Sequence, residues 1–77
     1  MSKIYLTVNA RHEKDGQVIP TSIIWEDGRL FAIDKVLDIR RAACLKNGGI
    51  GIRYICKICG KTVVIYDEDG KWFMDMV

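Results

Sequence analysis

The run Ile52-Arg53-Tyr54-Ile55-Cys56-Lys57-Ile58-Cys59-Gly60-Lys61-Thr62-Val63-Val64-Ile65-Tyr66 opens in strict alternation. Ile52, Tyr54, Cys56 and Ile58 fall on one side, and Arg53, Ile55, Lys57 and Cys59 on the other. A two-residue period marks a pleated strand, because successive side chains leave opposite faces. Gly60 and Lys61 are expected to reverse the chain, and the β-branched and aromatic residues from Thr62 to Tyr66 suit a second strand. With Tyr54 and Ile58 turned inward, Arg53 and Lys57 look outward together.

The same signals extend in both directions. Downstream, Asp69 and Gly70 turn the chain, and Trp72 and Phe73 anchor a last strand to Val77. Upstream, Ile4, Leu6, Val8 and Ala10 alternate with Tyr5, Thr7, Asn9 and Arg11 before a turn at Lys14, Asp15 and Gly16. The next run, Val18 to Trp25, holds the sole proline, Pro20, which cannot donate to a ladder and is expected at a solvent-facing edge or a bulge. Asp27 and Gly28 fit a two-residue type I′ turn, which would set Trp25 opposite Leu30 and Ile24 opposite Phe31. From Phe31 to Ile39 a long bent strand is expected, with Phe31, Ile33, Leu37 and Ile39 on one face and Asp34 and Asp38 on the solvent side. The alternative is a single helical turn near residues 38–46, placing Val36, Leu37, Ile39, Ala43 and Cys44 on one face, so residues 40–51 read as loop or helix.

About six short strands joined by tight turns predict an all-β domain over residues 1–77, a small antiparallel meander forming a partly open barrel, SH3-like or OB-like. Glu26-Asp27-Gly28-Arg29-Leu30-Phe31 is echoed by Glu68-Asp69-Gly70-Lys71-Trp72-Phe73, which reads as one Asp-Gly solution used at two hairpins.

With 77 residues, 49% hydrophobic and 29% charged, the chain has the makings of one small core. That length allows one domain, which excludes a multi-domain enzyme, and a chain so short buries only about 60% of the surface its unfolded form exposes, which leaves a thin stability margin. Three cysteines, Cys44, Cys56 and Cys59, leave at least one thiol free and argue against a disulfide framework, so the cytoplasm is the expected compartment. The alternating N-terminus lacks the continuous apolar core of a signal peptide, and no apolar run approaches the ~20 residues of a membrane span.

Charge is distributed unevenly. The net charge is only +2, yet residues 40–61 hold Arg40, Arg41, Lys46, Arg53, Lys57 and Lys61 without one acid, and the rest of the chain carries six bases against ten acids. Arg53 and Lys57 on a strand's outer face, beside Arg40, Arg41 and Lys46 around the Gly48, Gly49, Gly51 cluster, would make a cationic surface suited to phosphate. Small barrels bind single strands by adding stacking aromatics to such a groove, and Tyr5, Tyr66 and Trp72 are the candidates.

Other chemistry is thinner. Cys56-Lys57-Ile58-Cys59-Gly60 is half of a zinc ribbon, but a closed site needs four ligands and only Cys44 and His12 remain. A strand also sends Cys56 and Cys59 to opposite faces, so no metal or other cofactor is expected. His12 beside Glu13 reads as a solvated turn histidine, and the carboxylates at the hairpin tips as turn formers, so no catalytic set is expected.

Ile24, Trp25, Glu26, Asp27, Gly28 and Arg29, then Ile33, Asp34, Val36, Leu37 and Asp38, then Gly48, Gly49, Gly51, Arg53 and Tyr54, and finally Asp69, Gly70, Trp72 and Phe73 carry a resemblance. In that order they resemble short single-domain proteins of Gram-positive bacteria, a family without assigned function. The resemblance spans about fifty residues and implies a small β-barrel of bacterial cytosolic origin; Cys59 departs from the pattern. The expected function is a non-enzymatic binding module for nucleic acid or another polyanion, acting through the basic face of residues 40–61. The alternative is a protein-interaction or self-association module using an exposed edge strand near Pro20 or at the C-terminus.

Overall fold

The computed structural model describes the backbone of residues 2–44 and 49–76 and the side chains of residues 4–41 and 51–74. Seven strands make up the fold: β1 (Ser2–His12), β2 (Val18–Ile24), β3 (Leu30–Ala32), β4 (Lys35–Cys44), β5 (Gly49–Ile58), β6 (Lys61–Glu68) and β7 (Lys71–Met76). All pairings are antiparallel, in the order β3-β2-β1-β7-β6-β5-β4, and the sheet curls into an open half-barrel. The architecture is therefore all-β and barrel-like. Among the described residues no helix is long and apolar enough to cross a membrane.

The long bent strand expected after Phe31 is divided in two, raising the strand number from six to seven. β3 pairs with β2 and β4 pairs with β5, so consecutive strands lie at opposite ends of the sheet. Ile33 and Asp34 bridge the corner: Ile33 N–H donates to the Thr21 carbonyl at 2.9 Å and Asp34 N–H to the Lys57 carbonyl at 2.8 Å. A strand that changes partners at a bend is how small barrels turn their corners. Asp34 fixes this one further by accepting the Cys59 N–H at 3.1 Å.

The helical turn near 38–46 is overturned as far as Cys44, since β4 pairs with β5 from Lys35↔Lys57 to Cys44↔Gly49; residues 45 and 46 lie outside the described residues. The face assignment of β4 also changes. A bulge between Val36 and Asp38 resets the alternation, so Val36 and Ile39 pack on the core while Leu37 is exposed. An extra residue in one strand changes which side chains face inward.

Pro20 does not face solvent; it is among the most deeply buried side chains. β3 reaches only Ser22 to Ile24, so no neighbour needs a proline N–H there. The β1–β2 register shifts beside it, and Thr21 at that bulge donates its hydroxyl to the Asn9 carbonyl at 3.0 Å. Nor is the C-terminal strand an edge, since β7 lies between β1 and β6.

Ile23, Tyr54, Cys56, Ile58, Ile65 and Trp72 form the buried core, with Leu6, Val8, Val36 and Ile39 packed around it. Tyr54 is wholly buried, and its hydroxyl donates to the Val18 carbonyl at 2.6 Å, tying β5 to β2 across the interior. A buried phenol needs such a partner, because an unmade bond there would cost about 1–3 kcal/mol.

Candidate nucleic-acid interface

The alternation of β5 places Arg53, Ile55 and Lys57 on the outer face, away from Tyr54, Cys56 and Ile58. Register then decides their neighbours. Arg53 lies opposite Arg40 on β4 and opposite Tyr66 on β6; Tyr66 lies opposite Phe73 on β7, and Phe73 opposite Tyr5 on β1. One outer-face row thus runs Tyr5, Phe73, Tyr66, Arg53, Arg40 across five adjacent strands. At a strand spacing of about 4.8 Å it spans roughly 19 Å.

The aromatic half is tightly packed. Tyr66 and Phe73 stack with centroids 5.1 Å apart and planes at 12°, and Tyr5 meets Phe73 edge-on at 5.9 Å. Phe73 is nearly covered, whereas Tyr5 is 60% exposed and offers a free ring face. Trp72 is buried in the core against Tyr54, so of the three proposed stacking aromatics only Tyr5 and Tyr66 lie on this surface.

The cationic half consists of like-charge pairs. Arg40 faces Arg53, and Lys35 faces Lys57 on the same strand pair. Directly opposed like charges destabilise a sheet. Of these four, among the described residues, Arg40 alone has an ion-pair partner, its Nε donating to Asp38 at 2.8 Å. The Arg53 Nε is shielded from solvent without a hydrogen-bond partner, and among the described residues neither Lys35 nor Lys57 has an ion-pair partner.

Of the six basic residues singled out by sequence, Arg40, Arg53 and Lys57 share this face. Arg41 lies opposite Ile52, on the other side of the strand. Lys61, opposite Ile58, stands at the β5–β6 hairpin with the inward parity, and Lys46 lies outside the described residues. Sequence reasoning missed Lys35, because Asp34 and Asp38 flank it and take it out of the acid-free window. It also missed that Phe73 bridges the two tyrosines, a relation set by register between distant strands.

The paired cysteines differ in setting. Cys56 is in the core, where burial pushes its thiol up to about 11, so the thiolate that binds metal or attacks carbon is disfavoured. Cys59 is exposed in the turn. Among the described residues no group of three His, Cys, Asp or Glu side chains gathers as a metal site.

Compared with protein-family models, curated proteins and solved structures, the chain matches none.

Proposed function

We propose that this chain is a non-enzymatic binding module that holds single-stranded nucleic acid across the outer face of β1, β7, β6, β5 and β4. The observation that carries the reading is the single row in which three aromatic rings run into two opposed arginines. Exposed rings take bases without regard to sequence, and arginines beside them take the phosphates. A phosphate between Arg40 and Arg53, or between Lys35 and Lys57, would turn a repulsive pair into a bidentate anion clamp. Five strands give room for two or three bases, the number that sheet-based single-strand binders stack.

Docking along an edge strand has less support. The edges are β3, three residues long, and β4, whose bulge at Leu37 and charged residues Lys35, Asp38 and Arg40 are features that blunt strand addition.

Fluorescence anisotropy with a labelled single-stranded oligonucleotide tests the proposal. Affinity should fall steeply between about 50 and 200 mM salt, and the double variant R53Q/K57Q should reduce the logarithmic salt slope by about 1.4, two phosphate contacts' worth. Y5A, at an exposed position, should cost about 1–3 kcal/mol with the slope unchanged. No binding at micromolar protein in low salt, or binding that ignores salt, overturns the reading. Salt-dependent binding that Y5A leaves intact replaces it with a general polyanion site.

A further inference from the structure

The half-barrel is not filled where the β2–β3 hairpin faces the ends of β5, β6 and β7. An open pocket of about 240 Å³ lies there, walled by Trp25 and Phe31 on one side and by Ile58, Val63 and Met74 on the other. It is a cleft open to solvent on the inner side of the barrel, and a contiguous apolar concavity of this kind is a candidate ligand site. Its walls offer a polar ligand edge almost nothing, and an unpaired polar group placed there would lose its hydration without return.

The exception is Arg29. Its side chain lines the pocket, with the guanidinium carbon 5.7 Å from the centroid of the Phe31 ring. Its Nε donates to Asp27 at 2.6 Å, which steadies the group; among the described residues its two terminal nitrogens carry no hydrogen bond. An apolar cleft with one largely exposed guanidinium at its rim suits a ligand with a hydrocarbon body and a single anionic head.

We infer that this pocket binds a small free carboxylic acid whose aryl or branched alkyl body enters between Phe31 and Met74 while its carboxylate takes the terminal nitrogens of Arg29. An apolar cavity of about 150 Å³ is enough to bind benzene, so a pocket of about 240 Å³ admits a phenyl ring with a short alkyl arm. The walls belong to the inward face of the barrel, so this site is separate from the outer row and stands or falls without it.

The experiment follows the Met74 methyl resonance while 3-phenylpropanoate is added, with 3-phenylpropanamide as the neutral analogue. Saturable shifts are expected for both, the amide weaker by about threefold, the size of an exposed ion pair. R29Q should remove the acid's advantage and leave amide binding unchanged, and D27N, which frees Arg29, should tighten the acid by about twofold. V63W should block both ligands; the two turn variants, at exposed positions, carry the test if that variant does not fold. No saturation by about 10 mM acid, or equal binding of acid and amide, overturns the inference. So does binding of acetyl-Gly-Leu in place of the free acid, since that would make the pocket a reader of peptide C-termini.

Discussion

Glu26-Asp27-Gly28-Arg29 and Glu68-Asp69-Gly70-Lys71 share three residues and a conserved charge, yet they form different turns. In the first, Gly28 N–H donates to the Trp25 carbonyl at 2.9 Å and Trp25 N–H to the Arg29 carbonyl at 2.8 Å. This closes a three-residue loop with only Gly28 at positive φ, 88°. In the second, Asp69 and Gly70 both sit at positive φ, 52° and 85°, in a two-residue turn with Glu68 directly opposite Lys71. The carboxylates differ accordingly. Asp27 bonds forward, accepting from the Arg29 N–H at 3.0 Å, whereas at the other hairpin the residue before the glutamate, Asp67, reaches the Gly70 N–H at 2.9 Å. Trp25 holds the place corresponding to Asp67 and has no such group to offer.

The extra loop residue shifts the register by one. Ile24 pairs with Leu30 and Ile23 with Phe31, in place of the expected Trp25 with Leu30 and Ile24 with Phe31. A one-residue slip exchanges the faces of every side chain. Phe31 thereby turns inward to wall the pocket, and Leu30 is left exposed.

Deleting Asp69 breaks the comparison most severely. The two-residue turn has no residue to spare, so β7 must slip and exchange Trp72 with Phe73. Loss of a buried aromatic alone costs about 3–5 kcal/mol, and a domain this small should no longer show cooperative unfolding by circular dichroism. An intact, cooperative deletion variant would mean that loop length does not hold this register.

Asp67 sharpens it at intermediate size. Burial is the main cause of its raised pKa, outweighing the Gly70 N–H that lowers it, so folding favours the protonated form. The stability it contributes is present at low pH and is lost as pH rises through that raised value. D67N keeps an oxygen for Gly70 and carries no charge, so it should equal or exceed the parent at pH 7, the gap narrowing towards acid pH. D67A should fall about 1 kcal/mol below D67N, the worth of one hydrogen bond. Urea titrations across pH measure both, and a parent more stable than D67N at pH 7 would reverse the sign.

Removing Glu26 should matter least. The loop would shorten to Asp27-Gly28 with Ile24 still opposite Leu30, converting it to the form its counterpart adopts, and stability should change by no more than about 1 kcal/mol. A larger loss in thermal unfolding would show that the longer loop is required by its surroundings.

What sequence could and could not convey follows from the range of the interactions. The inward set Tyr54, Cys56 and Ile58 and the outward Arg53 and Lys57 were legible, because pleating acts between adjacent residues. Turn positions at Gly16, Gly28 and Gly70 were legible, but loop lengths were not, since a side chain outside the motif chose between them. The bulge at Leu37 was invisible, as alternation carries no mark of an inserted residue. The row from Tyr5 to Arg40 depends on β1 lying beside β7, a pairing that spans nearly the whole chain and leaves no local trace.

That pairing constrains how the molecule can come into being. β1 serves two ladders, Ser2 to Leu6 with β7 and Thr7 to His12 with β2. During synthesis its first half has no partner until Trp72 to Met76 has left the ribosome. Bringing such remote segments together incurs the full entropic penalty of loop closure before any ladder is gained, a topology associated with slow folding. Ser2 and Met76 end as neighbours, so the native sheet is completed by a seam between two strands that the five others separate in sequence.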